Sequence, residues 1–237
     1  MTIDINKLKL DIGKLGLECD ESTLSRFDRF SQLLLEWNQK INLTSITDPN
    51  EIITKHFVDS LAVSLVAPVE GNIIDIGTGA GFPGIPLAIM FPDARFTLID
   101  SLAKRIDYLK MVVGDLGLDN VICMHGRAED LAHLDNFRQS FDLAVSRAVA
   151  NISVLLEYAI PFVKVNGKFI SYKSTDIDDE LRNSVSASDI LGVSLDDNKT
   201  ITLPSSEIMR RFLVYRVPKE IDSKYPRKAG KPTKSPL

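Results

Sequence analysis

The chain has 237 residues, 44% hydrophobic and 25% charged, which suits one good-sized α/β domain, alone or with a helical extension, and excludes a disordered or fibrous chain. No apolar run approaches the ~18–20 residues needed to cross a bilayer. Met1-Thr2-Ile3-Asp4-Ile5-Asn6 lacks a secretory leader's basic-then-apolar pattern, and Cys19 and Cys123 stand far apart without metal-ligand spacing, so a reducing cytoplasm is expected, with no disulfide, metal or membrane.

The net charge of −4 hides an asymmetry: residues 223–237 carry five basic groups and no acidic one, leaving −9 on the remaining 222. Such a tail is either a solvated end or a contact for a polyanion. The first third reads as helical. From Glu21 to Ile41, apolar residues at Leu24, Phe27, Leu34, Trp37 and Ile41 keep to one helical face. Asp48-Pro49-Asn50-Glu51 opens a second helix, with Asp48 as cap, Pro49 at the first position and Glu51 completing a capping box. It is expected to run to about Ala67, turning Ile52, His56, Phe57, Leu61 and Leu65 inward, and to stop at Pro68.

From Asn72 the rhythm changes. Strands are predicted at Asn72–Ile76, Phe96–Ile99, Val121–Met124, Phe141–Val145 and Lys168–Tyr172. Helices are predicted between them at Ile85–Phe91, Ala103–Leu116 and Asn151–Val163. This alternation implies right-handed crossovers and a parallel sheet covered on both faces. After a helix near Asp176–Ser188, the runs Lys199–Leu203 and Arg211–Val217 are separated by too little chain for a helical crossover. They are expected to pair as an antiparallel hairpin at the sheet edge. A mostly parallel sheet ending in such a hairpin fits methyltransferase folds better than simple dinucleotide-binding ones. Residues 1–70 are then a helical extension, 71–222 the α/β core and 223–237 a basic tail.

The strongest local signal is Asp75-Ile76-Gly77-Thr78-Gly79-Ala80-Gly81-Phe82-Pro83-Gly84, directly after the first strand. Glycines there permit tight turns and close approach of a ligand to the backbone, at the strand ends where open sheets bind ligands. Gly79 to Gly84 satisfies G-x-G-x-x-G, and Asp100 follows 21 residues after Gly79, a fair dinucleotide fingerprint. The register is wrong, because Gly77 and Thr78 intervene between strand and motif. Asp75 at the strand end would repel a pyrophosphate but attract the ammonium and sulfonium of S-adenosylmethionine. Asp100, ending the second strand beside Ser101, can accept from both ribose hydroxyls. Ala128 and Glu129, in Gly126-Arg127-Ala128-Glu129-Asp130, stand where a backbone N–H and a carboxylate could read an adenine edge; equally, Glu129 and Asp130 could be ordinary first-turn helix acids. Arg147, in Ser146-Arg147-Ala148 after the fourth strand, needs a partner or a substrate at such a position.

With these residues, the chain closely resembles the RsmG family (glucose-inhibited division protein B), bacterial small-subunit rRNA methyltransferases that form 7-methylguanosine. The strings that carry the resemblance are Glu36-Trp37-Asn38-Gln39-Lys40-Ile41-Asn42-Leu43-Thr44, His56-Phe57-Val58-Asp59-Ser60-Leu61, the glycine loop, Asp100-Ser101-Leu102-Ala103-Lys104-Arg105, Arg127-Ala128-Glu129, Ser146-Arg147-Ala148 and Lys224-Tyr225-Pro226-Arg227-Lys228. They span roughly Phe30 to the C-terminus. The resemblance implies a class I, Rossmann-like methyltransferase fold and methyl-donor contacts from Gly77, Phe82, Asp100, Ala128, Glu129 and Arg147, to which Asp75, Gly79 and Ser101 of the same strings are added. It implies RNA contacts from the tail residues Lys224, Arg227, Lys228 and Lys231, joined by Lys104 and Arg105, in a monomer acting on small-subunit rRNA or the assembled subunit.

Guanine nitrogen 7 carries a free lone pair and no proton, so its methylation requires no general base. No Asp/Asn-Pro-Pro-aromatic string of amine methylation follows the fourth strand, and Cys123 reads as a buried strand residue rather than a thiolate nucleophile. Arg147 could hold the donor carboxylate or offer donors to guanine O6. For His56 and Asp59, packing on a helix face stands beside a role in the chemistry. Rival readings are a methyltransferase on a small molecule, a protein or another RNA, a nicotinamide-dependent oxidoreductase, and a non-catalytic ribosome-binding protein.

Overall fold

The computed structural model describes residues 2–147 and 150–237. Ala148 and Val149 of the string after the fourth strand lie outside the described residues.

Two helices lead the chain. Asp4 caps α1 (Ile5–Lys14) by accepting from Lys7 N, and Asp20 caps α2 (Glu21–Asn38) by accepting from Thr23 N. Leu24, Phe27 and Leu34 of α2 are buried, and Trp37 packs on Tyr108 with ring centroids 5.8 Å apart. The next helix begins where expected, with Asp48 Oδ1 accepting from Asn50 and Glu51 N–H. The reciprocal half of the capping box is not made: Glu51 pairs forward with Lys55 at 2.6 Å.

This helix then changes pitch. It is α3 over Pro49–Ile52, a π turn over Ile53–Val58, α4 over Asp59–Leu61 and a 3-10 turn over Ala62–Leu65. Widening and then tightening the turn rotates the inward stripe. Leu65, expected inside, is therefore 38% exposed, while Asp59 and Ser60 are buried.

The sheet has seven strands: β1 (Asn72–Ile76), β2 (Arg95–Asp100), β3 (Val121–His125), β4 (Phe141–Arg147), β5 (Val163–Lys173), β6 (Ser194–Thr202) and β7 (Met209–Arg216). Their order is β3-β2-β1-β4-β5-β7-β6. The first five are parallel, and β7 inserts antiparallel between β5 and β6. The expected hairpin is present, with β6 longer than its apolar residues suggested. Helices α5 (Gly84–Met90), α6 (Ala103–Leu116), α7 (Ala128–Leu131) and α8 (Ile152–Ala159) make the crossovers, α8 ending in a 3-10 turn over Ile160–Phe162. The single helix expected near Asp176–Ser188 is two, α9 (Asp178–Asn183) and α10 (Val185–Leu191), with Ser184 between them. The short α11 (Lys231–Lys234) ends the chain. No helix among the described residues is long and apolar enough to cross a membrane.

Each sheet face carries its own core. One joins α1, α2 and the π turn to α5 and α6 through Phe27, Phe30, Phe57 and Leu98. The N-terminal helices therefore share a core with the sheet. Each fully buried phenylalanine there is worth about 1.5–3 kcal/mol. The other face packs α7, α8 and α10 through Leu155, Phe162, Phe169 and Tyr215, and extends to Ile221 and Tyr225 beyond β7. Strands β1 to β3 are added in one direction across the sheet and β4 onward in the other, so the C-terminal ends of the parallel neighbours β1 and β4 frame the crevice where open sheets bind ligands.

Candidate active site

The glycine loop leaves β1 at Ile76. Gly77 and Thr78 N–H both donate to Ile99 O, at 2.9 and 3.0 Å, which ties the loop to β2. Gly79 has φ +61, donates its N–H to Asp100 Oδ2 at 3.0 Å, and has nothing closer than 4.0 Å where a Cβ would sit. Gly84 is the opposite case: a Cβ would lie 2.8 Å from Asp75 Oδ2 and against Leu98, so α5 can start this close to β1 only on glycine.

Asp75 is fully buried beneath this loop. Its Oδ2 accepts from Thr78 Oγ1 at 2.6 Å and Gly84 N–H at 2.9 Å, while Oδ1 is buried with no hydrogen-bond partner among the described residues. Burial pushes the carboxyl up to about 6, against the opposing pull of those hydrogen bonds. The side chain thus organises the loop from below instead of standing at the pocket mouth.

A cleft of about 140 Å³ opens at the ends of β1, β2 and β3, lined by Gly77, Asp100, Ser101, Ala128, Glu129 and Tyr158 among others. Asp100 accepts on Oδ1 from Leu102 N–H at 2.8 Å and on Oδ2 from Gly79 N–H and Arg105 Nη1. One Oδ1 lone pair remains, and release of the 3.3 Å Arg105 bond would free another. Ala128 begins α7, so its N–H belongs to the first turn, which lacks intrahelical acceptors. Glu129 is buried and accepts on Oε1 from Gly230 N–H of the tail at 3.0 Å. Tyr158, which sequence reasoning missed, comes from α8. A roomier cleft of about 810 Å³ lies at the opposite end of the strands, lined by Asn72, Arg95 and Asn120. It is on the wrong side of the sheet for a strand-end site.

Arg147 ends β4 beside this crevice, outside the lining of the smaller cleft. Its side chain is 12% exposed and donates to Asp59 Oδ2 at 2.7 Å and Lys55 O at 3.1 Å. Asp59, wholly buried, also accepts from Arg210 of β7 at 2.6 and 3.2 Å. Arg147 Nη2 lies 3.3 Å from His56 Nδ1, and its guanidinium stands 5.0 Å over the Phe82 ring. Phe82 in turn stacks on His56 with centroids 4.2 Å apart and planes 10° from parallel. The Phe82 side chain is therefore committed to this cluster.

The cluster reaches back to the Glu36–Thr44 string by hydrogen bonds. Asn38 Oδ1 accepts from Leu43 and Thr44 N–H, folding the loop so that Thr44 Oγ1 lies 2.9 Å from His56 Nε2. Burial first, and the Arg147 charge second, push His56 down to about 3. The ring is neutral, accepts from Arg147 at Nδ1 and donates from Nε2 to Thr44. Arg210 was not legible as a partner, since 151 positions separate it from Asp59.

The basic candidates divide. Lys104, Lys228 and Lys231 are exposed, and Lys224 is exposed beside Asp222 at 3.0 Å. Arg105 spends part of its reach on Asp100. Arg227, expected to face RNA, is instead paired with buried Glu157 at 2.6 Å, because that carboxylate has no water to compensate it. Cys123 is half-buried, not buried, on edge strand β3; burial still pushes its thiol up to about 11, leaving it protonated.

Residues 23–209 match the family model described as rRNA small subunit methyltransferase G. The chain is 46% identical over 232 residues to the Ribosomal RNA small subunit methyltransferase G of Alkaliphilus metalliredigens, covering 97% of each. It is 44% identical over 224 residues to the protein of that name from Lactococcus lactis, covering 93% of this chain and 94% of that one. A solved SAM-dependent O-methyltransferase from Thermotoga maritima is similar with a TM-score of 0.52 at 13% identity, covering 80% of this chain and 73% of that one. That last likeness is one of fold alone.

Proposed function

The chain belongs to the rRNA small subunit methyltransferase G family, and from that premise we propose that it methylates ring nitrogen 7 of one guanine in small-subunit rRNA. It is an S-adenosylmethionine-dependent rRNA methyltransferase with the class I fold. The observation that carries the donor site is the cleft at the ends of β1–β3, where Asp100, Glu129 and the Gly79 turn converge.

The residues present fit the donor. Asp100 keeps an Oδ1 lone pair at the cleft and Gly79 leaves open space beside the backbone. When bound, the donor supplies an electrophilic methyl group carried on a sulfonium. In this reading Asp100 and Ser101 hold the ribose, Ala128 N–H and Glu129 face the adenine, and Gly77 lines the floor. Arg147, one strand away on β4, faces the acceptor side of the crevice. Lys104, Lys228 and Lys231 supply phosphate contacts.

Nothing in the cluster is arranged as a general base. His56 is neutral, buried, and uses both ring nitrogens internally. Asp59 is wholly buried and held by two guanidiniums. This suits guanine nitrogen 7, which needs alignment with the methyl group and no proton removal. Orientation of the two reactants can contribute up to ~7–11 kcal/mol. The target must be unstacked or in a loop to reach the crevice.

Incubation with labelled S-adenosylmethionine and either small or large ribosomal subunits tests the substrate class. Label in the small-subunit rRNA alone is expected. Label in protein, or equally in both subunits, would refute it.

A further inference from the structure

The segment after β7 is docked. Arg138 donates to the carbonyls of Ile221 at 2.9 Å and Tyr225 at 2.8 Å. Arg227 grips both oxygens of buried Glu157 through Nε at 2.8 Å and Nη2 at 2.6 Å, and its backbone N–H reaches the same carboxylate at 2.7 Å.

Beyond that anchor the chain crosses the back of the donor cleft. Gly230 N–H donates to Glu129 Oε1 at 3.0 Å, and the hydroxyls of Thr233 and Tyr158 share a 2.9 Å hydrogen bond. Pro232 between them is buried. Glu129 and Tyr158 are both walls of the cleft. The same short stretch turns Lys228, Lys231 and Lys234 to solvent. One segment therefore presents three positive charges outward and touches two cleft-lining side chains inward.

We propose that Lys228–Lys234 is a strap that couples RNA engagement to donor binding, a reading that rests on the cleft being the donor site. Docked, the strap fixes the Glu129 carboxylate and the Tyr158 ring where the donor's nucleoside meets them. In the same position it holds its three lysines as one array for RNA phosphates. A ligand on either side stabilises the docked strap and so favours the ligand on the other. By linkage the two effects are equal in size. The contact is built into the backbone: Gly230 has φ +80, which brings its N–H onto Glu129 and which an L side chain rarely adopts.

The test measures small-subunit affinity with and without saturating S-adenosylhomocysteine. Three proteins are compared: the full chain, Gly230→Pro, and a chain ending at Ala229. Gly230→Pro removes the N–H and cannot adopt the positive φ, yet keeps every lysine. In the full chain, S-adenosylhomocysteine should tighten subunit binding about fivefold or more, an ordinary size for coupling between sites. Both altered chains should show less than about a twofold effect. Undiminished coupling in Gly230→Pro would assign the effect to charge or to another element and overturn the strap. So would the absence of any effect in the full chain. Titration of S-adenosylhomocysteine without RNA runs alongside: if the full chain does not bind it, the donor-site reading fails, and the strap with it.

Discussion

Asp59 is the point where the account is most exposed to measurement. Its carboxylate is wholly buried and receives Arg147 Nη1 at 2.7 Å, Arg210 Nε at 2.6 Å and Arg210 Nη2 at 3.2 Å. The two side chains are only 12% and 22% exposed, so water can replace the carboxylate only in part. Asp59→Asn preserves shape and volume but strands two positive charges. Removing one partner of a buried pair costs about 3–5 kcal/mol, a large share of the ~5–15 kcal/mol that holds a domain together. For a chain of this size the melting temperature should fall by about 6–20 °C. Urea unfolding of Asp59→Asn, Arg210→Gln and the double variant measures it. Because both single changes disrupt the Arg210–Asp59 bonds, the double variant should cost less than their sum by about 1 kcal/mol or more. A loss below about 1 kcal/mol for Asp59→Asn, or strict additivity, would refute the claim that this carboxylate holds the two arginines.

Three further outcomes follow from the same geometry. Burial raises Asp75 from 3.8 to about 6, so protonation favours the fold: the contribution is fully present below about pH 4 and lost as pH rises through 6. Asp75→Asn should remove up to about 3 kcal/mol of that loss when unfolding is compared at low and neutral pH; an equally pH-dependent variant would contradict it. His56, held down to about 3, should leave no limb near its ordinary ~6.5 in the rate profile of methyl transfer, and a limb that disappears in His56→Gln would make it a base after all. Replacing Lys228, Lys231 and Lys234 together by alanine should lower the slope of log affinity for RNA against log salt by about 2–3, with S-adenosylhomocysteine binding hardly salt-dependent; an unchanged slope would remove these lysines from the RNA contact.

What the sequence disclosed is what local chemistry dictates. The helix Ala103–Leu116 is found with those bounds, and β1 likewise, because apolar periodicity and turn residues agree there. The glycine loop and Asp100 lie close in sequence and are joined by Gly79 N–H, so their association could be read off the spacing. β6 was under-read because both of its faces are exposed along most of its length and carry no alternation. The π turn at Ile53–Val58 left no compositional trace, yet it sets where His56 and Asp59 point. Contacts across the chain were beyond reach: Arg210 on Asp59, Arg227 on Glu157 and Gly230 on Glu129 all join residues more than 65 positions apart. The charge of the basic tail is legible in the sequence, but its attachment to the cleft walls is a property of the folded chain.

The most direct test of the central claim is the identity of the product. Small ribosomal subunits from cells lacking the endogenous activity are methylated with labelled S-adenosylmethionine, and the rRNA is digested to nucleosides. The account predicts that the label elutes as 7-methylguanosine from a single site. Label in a base methylated on carbon or on an exocyclic amine would contradict it, because the acceptor would then not be ring nitrogen 7.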